Sequence, residues 1–137
     1  TLENEIYLFD YDPAAPAIGN RRILCAGLAR GLPDGSCLDE KGRLWNCRVG
    51  GGAALARIGI DDRAIDVFDL PASWPTSCTF GGDDLATLYV TSARFTMTRD
   101  HLDRHPQEGG LYSVMTGARG TVEAKFGMSN SALGSMR

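Results

Sequence analysis

The chain has 137 residues, a formal net charge of −3, 43% hydrophobic residues and 23% charged residues. This length and composition predict one small globular domain with a hydrophobic core. The acidic balance argues against a nucleic-acid-binding protein, and no apolar run approaches the roughly 20 residues of a transmembrane helix. We therefore predict no nucleic-acid partner and no membrane association.

Short apolar runs bounded by turn residues dominate the chain, and such runs predict β-strands. Only residues 98–105 have a mildly helical pattern, and the small, polar residues 127–137 are predicted to form a disordered tail. The predicted strands, in chain order, are residues 6–9, 21–26, 36–38, 44–49, 54–58, 64–70, 77–80, 88–91, 111–114 and 122–126.

The predicted strands repeat as a unit. Residues 33–38, with the sequence PDGSCL, align with residues 75–80, PTSCTF, and Leu44-Trp45 then aligns with Leu88-Tyr89. A unit of four short strands repeated about every 40–45 residues is typical of a β-propeller blade. An ordinary β-sandwich is the alternative fold. In the propeller interpretation, Trp45 and Tyr89 are core aromatics at matching positions of two blades.

The predicted fold class is therefore all-β, a partial β-propeller of about two and a half four-stranded blades. Propellers close with about 4–8 blades, so this number would leave open sheet edges. The predicted propeller part spans residues 1–126, in which residues 5–28 end one blade, residues 33–70 form a second and residues 75–126 form a third.

The four cysteines predict neither a zinc site nor disulfides. Cys25, Cys37, Cys47 and Cys78 form no CxxC pair, and no histidine follows at the spacing of zinc ligands. A domain of this size does not need disulfides for stability, so we expect reduced thiols buried in strands. The N-terminus also lacks the basic and then apolar pattern of a secretory signal, and we predict a cytoplasmic location.

Asp34, in the segment Pro33-Asp34-Gly35, is the main candidate for chemistry. A carboxylate at the start of an inner propeller strand faces the central channel, where it is a hard oxygen ligand for calcium. Beside a metal, it can also accept a proton from water as a general base. The pattern alone favours a simpler interpretation, a tight turn, because Asp before Gly is a common turn pair. The second repeat has the neutral Thr76 at this position.

The remaining motifs carry weaker signals. His101 and His105 are four residues apart, so a helical turn could place both on one face as metal ligands, but Pro106 and nearby glycines favour a solvated connection. Gly50-Gly51-Gly52 lacks the GxxxxGK[ST] context of a phosphate-binding loop and predicts a hairpin turn. The arginines are interpreted as solvated strand ends.

Three segments together resemble the gluconolactonase/regucalcin (senescence marker protein) family. They are LPDGSCLDEKGRLWNCRVGGG at residues 32–52, LPASWPTSCTFGGDDLATLYVTSAR at residues 70–94 and EGGLYSV at residues 108–114. The resemblance implies a six-bladed propeller with one divalent cation, usually calcium, in its channel. Zinc and manganese are alternatives, because they can also use one carboxylate among neutral oxygens. It further implies hydrolysis of a small-molecule substrate, a sugar lactone or related ester.

The resemblance covers only the C-terminal half of such proteins. It assigns Asp34 to the metal site and implies that the other ligands, a glutamate and an asparagine, would precede Thr1, together with the asparagine and arginine that contact substrate. The chain thus resembles the C-terminal part of a metal-dependent lactone hydrolase, with Asp34 as channel ligand and general base. The alternative is a non-catalytic half-propeller fragment or interaction module, and a homodimer could cover the open blade edges.

Overall fold

The structure of the chain, a computed structural model, describes residues 2–123. Within them the chain is almost entirely β-structure, which confirms the all-β prediction. The predicted tail at residues 127–137 and the end of the predicted third blade lie outside the described residues. The elements are β1 (Glu5–Asp12), β2 (Ala17–Ala26), β3 (Leu32–Leu38), β4 (Leu44–Val49), β5 (Ala54–Ile58), β6 (Ile65–Asp69), β7 (Pro75–Gly81), β8 (Thr87–Ser92), α1 (Arg99–Arg104) and β9 (Leu111–Met115).

The strands form three antiparallel sheets in which neighbours in sequence are neighbours in space. The first sheet contains β1 and β2, the second β3 to β6 and the third β7 to β9. Short hairpins join the strands of the second sheet, because turn residues follow each apolar run at short intervals. Residues 119–120 turn back onto the second sheet, where Gly120 forms a β-bridge with Asp39. Val122 and Glu123, in the last predicted strand, are not in a strand.

Two hydrophobic cores lie between the three sheets. Between the second and third sheets, the largest buried side chains include Trp45, Leu55, Phe80 and Leu88. Between the first and second sheets, the core is smaller and contains Leu24, Cys25, Ala56 and Ile58. The second sheet is therefore covered on both faces, and its strand β4 is buried from Trp45 to Val49.

Contrary to the prediction, Tyr89 does not lie in a core. Its neighbours Leu88 and Val90 are buried against the second sheet, whereas Tyr89 is 37% exposed. Successive side chains of a strand point to opposite faces. Tyr89 therefore points to the face of the third sheet on which, among the described residues, no other sheet packs.

The predicted helical segment forms the short helix α1 within the connection between β8 and β9. Thr98 caps its N-terminus, since the Thr98 hydroxyl accepts a hydrogen bond from the backbone N–H of His101 at 3.2 Å. Within residues 2–123, no helix is long and apolar enough to cross a membrane.

All four cysteines are free and buried, as predicted. Cys37 and Cys78 face each other across the core between the second and third sheets, with their sulfur atoms 3.7 Å apart. This separation exceeds the roughly 2.05 Å of a disulfide bond. The hydrogen bond between the two thiols, together with burial, raises the pKa of Cys37 and keeps its thiol protonated near neutral pH.

Candidate functional site

Asp34 lies on a β-bulge inside β3 rather than in the tight turn that the sequence predicts. Pro33 pairs with Arg48 and Ser36 pairs with Asn46, so Asp34 and Gly35 together face one residue of β4. The tight-turn prediction is wrong because the chain continues along the sheet on both sides of the extra residue. A bulge changes the direction of a side chain, and the Asp34 side chain is exposed near the start of the strand.

The third sheet contains the same irregularity. In β7, Pro75 pairs with Ser92 and Ser77 pairs with Thr91, so that Thr76 is the extra residue. The repeated sequence pattern PDG and PTS therefore marks a repeated bulge. Of the two extra positions, only the one in β3 carries an acidic side chain.

Gly35 allows β3 and β7 to approach each other closely. A Cβ atom on Gly35 would lie 2.5–2.7 Å from the Oγ, Cβ and Cα atoms of Ser77. Such contacts are far inside normal packing distances, so only glycine fits this position. Because Asp34 precedes Gly35 and Thr76 precedes Ser77, the two bulge residues lie at the same end of adjacent strands.

The Asn46 side chain stabilises the bulge by hydrogen bonds. Its side-chain Nδ2 donates hydrogen bonds to the backbone oxygen of Asp34 at 2.8 Å and to the Oγ of Ser36 at 2.9 Å. The Asn46 side chain is 1% exposed. One buried amide thus fixes both ends of the segment from Asp34 to Ser36, which carries the Asp34 carboxylate.

Arg48 in turn holds the Asn46 side chain by a hydrogen bond. Its burial shows that the interpretation of the arginines as solvated strand ends is wrong for this residue. It is 1% exposed, and its Nη1 donates to the Oδ1 of Asn46 at 3.2 Å. Its other donors bind neutral oxygens of Asn4, Leu28, Arg30 and Gly31 at 2.6–3.4 Å. Burial lowers the pKa of Arg48, but a guanidinium remains charged near neutral pH.

Asn46 and Arg48 are functional candidates that the sequence prediction missed. They alternate along β4 with Trp45 and Cys47, which belong to the core between the second and third sheets. Since a strand covered on both faces buries every side chain, polar residues at alternate positions must find partners inside the protein. The alternation of polar and apolar residues is visible in the sequence. It indicates buried polar side chains only if the strand is known to be covered on both faces.

The described residues do not by themselves form a metal cage around Asp34. Within residues 2–123 there is no group of three or more His, Cys, Asp or Glu side chains that could hold a metal ion. Calcium takes about 6–8 oxygen ligands, so a cation at Asp34 would need further ligands from elsewhere or from water. The assignment of Asp34 as a metal ligand remains a prediction.

The two other motifs of the sequence form local structure. The helix α1 brings the His101 and His105 rings together, with centroids 4.6 Å apart, but within residues 2–123 they belong to no group of three or more His, Cys, Asp or Glu side chains that could hold a metal ion. Gly50 and Gly51 form the hairpin between β4 and β5 with φ angles of +64° and +88°, as predicted. Glycine is favoured at such angles.

Residues 1–94 match the model of the family described as SMP-30/Gluconolactonase/LRE-like region. Regucalcin from Gallus gallus is 37% identical over 115 residues, which cover 83% of this chain and 38% of that protein. The putative sugar lactone lactonase YvrE from Bacillus subtilis (strain 168) is 34% identical over 127 residues, which cover 92% of this chain and 44% of that protein.

The fold is similar to the crystal structure of a calcium-binding protein, regucalcin, from Agrobacterium tumefaciens. The TM-score is 0.83 and the identity 27%, over 93% of this chain and 44% of that chain. Together with the three sheets, this similarity confirms the predicted partial β-propeller. The chain spans less than half the length of each of these three relatives.

Proposed function

Because the chain belongs to the SMP-30/gluconolactonase/LRE-like family, as its motifs predict, we propose that it is the C-terminal part of a divalent-metal-dependent sugar lactone hydrolase. The observation that carries the proposal is the exposed Asp34 carboxylate on a bulge anchored by the buried Asn46. Two relatives support the reaction class and the metal, namely a putative sugar lactone lactonase and a calcium-binding regucalcin.

In this proposal Asp34 supplies one carboxylate to a divalent cation, which is calcium or, as alternatives, zinc or manganese. Such a cation, when bound, would polarise the carbonyl of a small lactone or ester substrate. Asp34 can also accept a proton from the attacking water as a general base. Asn46 and Ser36 fix the backbone beneath Asp34, so that its carboxylate extends from a defined position.

Replacing Asp34 by alanine is expected to weaken calcium binding at least tenfold, because the hard carboxylate ligand is lost. Calorimetric titration of the chain and of the Asp34→Ala variant with calcium, and then with manganese and zinc, measures this effect. Hydrolysis of glucono-δ-lactone by both proteins, with each cation added, tests the reaction itself.

The Asp83→Ala variant is the matched control. Asp83 is also an exposed aspartate, but it lies in the hairpin between β7 and β8, at the opposite end of the sheets from Asp34. Its cation affinity should equal that of the unchanged chain. If Asp34→Ala binds the cation as well as Asp83→Ala does, Asp34 is not a metal ligand and the proposed site is wrong.

A non-catalytic interaction module is the second candidate function, favoured by exposed apolar side chains on one face of the third sheet. Leu111 is 68% and Met115 75% exposed, and the register places both on the same face as Tyr89. We propose that a second copy of this chain covers this face in a homodimer, because exposed sheet faces and edges promote pairing.

One chain has a mass of 14.7 kDa. Light scattering on the purified protein is expected to give twice this mass. Replacing Leu111 by lysine should shift the protein to the monomer, because a charge on the covered face would have to be desolvated. An exposed alanine replacement outside this face, Asp83→Ala, should leave the dimer intact. A monodisperse monomer of the unchanged chain contradicts the homodimer.

We also propose a cytoplasmic location. Its support is that the four cysteines are free and buried, although Cys37 and Cys78 lie close together. Thiols remain reduced in the cytosol, whereas secreted proteins favour disulfides. Fractionation of cells that express the protein tests the location, and recovery from the medium would contradict it.

A further inference from the structure

A pocket of about 350 Å³ opens between the linker that precedes β7 and the segment that leads from β8 into α1. Trp74 and Phe95 form its aromatic wall, with ring centroids 5.5 Å apart and ring planes tilted by 58°. Met97 and Gly51 complete the apolar lining. The pocket volume lies near the lower end of the about 300–1,000 Å³ typical of small-molecule sites.

The pocket lies at the same end of the sheets as Asp34 but is separate from it. The β4–β5 hairpin, the linker before β7 and the connection after β8 all emerge at the end where β3 and β7 begin. The close approach of Gly35 to Ser77 makes these two strand beginnings neighbours. The pocket lining comes from the hairpin, the linker and the connection, and it does not include Asp34.

One side of the pocket is polar and is held by hydrogen bonds. Glu108 is 2% exposed, and its carboxylate accepts hydrogen bonds from the Ser73 hydroxyl at 2.5 Å and the Ser73 N–H at 3.1 Å. The Nε2 of His101, in the pocket lining, lies 3.4 Å from the same carboxylate. Burial alone would raise the pKa of Glu108, but the bonds from Ser73 and His101 outweigh it and lower the pKa. The ionised Glu108 therefore holds the His101 ring in place.

The lining as a whole is amphipathic. Besides the aromatic wall and the imidazole, it includes the hydroxyl-bearing residues Thr96 and Thr98. A purely apolar ligand would remove these polar groups from water without replacing their hydrogen bonds. A purely polar ligand would gain nothing from Trp74 and Phe95.

We propose that this pocket is a binding site for a single sugar ring. A pyranose has an apolar C–H face that can pack on the aromatic wall and a rim of hydroxyl groups that can bond with His101, Thr96 and Thr98. The pocket has room for one ring and is open to solvent on one side. Sugar binding here requires neither a metal ion nor Asp34, so it is independent of the proposed hydrolase function.

Titration of the full chain with methyl β-D-glucopyranoside, in the presence of EDTA, is expected to give a saturable change in tryptophan fluorescence. The chain has two tryptophans. Trp45 is buried in the core, so the change reports on Trp74. Calorimetry should show binding at least tenfold weaker for His101→Ala and for Phe95→Ala, and the Asp34→Ala variant should bind as well as the unchanged chain.

Phe95 is mostly exposed, so its replacement tests the aromatic wall without removing a core side chain, and Trp45 fluorescence verifies the fold. Indole serves as the apolar probe. The proposal is overturned if no saturable binding of the glucoside occurs, if indole binds and the glucoside does not, or if both variants retain full affinity. Failure of calcium binding in the Asp34 experiment would leave this result unaffected.

Discussion

Replacing Arg48 by methionine is expected to lower the free energy of unfolding by about 3–5 kcal/mol, near the upper limit for single substitutions. Methionine can fill much of the same space, but it donates no hydrogen bonds. Each buried acceptor left without a donor costs about 1–3 kcal/mol, and partial hydration recovers some of this cost. The oxygens that would lose this donor belong to Asn4, Arg30, Gly31 and Asn46, whereas the Leu28 oxygen retains the Asn4 Nδ2 as a donor at 3.0 Å.

Urea denaturation followed by circular dichroism measures this effect. Arg22→Met is the matched control, because Arg22 forms an exposed ion pair with Asp10 at 2.7 Å, and such pairs contribute little to stability. Arg48→Lys should recover only part of the loss, since an ammonium group lacks the planar fork of the guanidinium. Equal urea midpoints for Arg48→Met and Arg22→Met would contradict the expectation that the hydrogen bonds of Arg48 stabilise the protein.

Replacing Trp45 by alanine is expected to destabilise the protein by about 3–5 kcal/mol, because a large side chain leaves a cavity that the sheets fill only in part. The indole is 1% exposed. It stacks on Phe68 at 5.5 Å and meets Phe80 edge-on at 5.9 Å. Its Nε1 donates to the buried carboxylate of Asp39 at 3.0 Å. The substitution therefore removes packing against the third sheet as well as a charge-assisted hydrogen bond.

Trp45→Phe separates the two contributions. Phenylalanine retains an aromatic ring in the core but cannot donate to Asp39, so we expect a smaller loss of about 1–3 kcal/mol. Asp39 retains the N–H groups of Lys41 and Arg43 as donors at 3.0 Å. Thermal and urea denaturation of both variants give the comparison. If Trp45→Ala costs no more than Trp45→Phe, packing between the second and third sheets is not what Trp45 provides.

The all-β fold could be predicted because its signals are local. Apolar runs separated by turn residues specify strands, and their regular recurrence specifies a repeated sheet unit. The bulge at Asp34 could not be predicted in the same way. A Pro-Asp-Gly segment is compatible with a turn and with a bulge, and only the register of β3 against β4 distinguishes them.

The supports of the candidate site and of the aromatic pocket depend on contacts that are distant in sequence. Arg48 binds Asn4, 44 residues away, and Glu108 binds Ser73, 35 residues away. Nothing in the local pattern around these charged residues distinguishes them from solvated ones. Their burial follows from how the sheets and loops pack, which also brings Trp74 and Phe95 to one pocket.

The sequence by itself determined most of the strands, the repeat, the family motifs and Asp34 as the acidic residue in the first copy of the repeat. The tertiary structure decided which repeated positions are equivalent in environment. Trp45 and Tyr89 align in the repeat, yet one is 1% and the other 37% exposed. The reason is that burial of a strand residue depends on the sheet that packs on its face. The third sheet covers Trp45, and among residues 2–123 no sheet covers Tyr89.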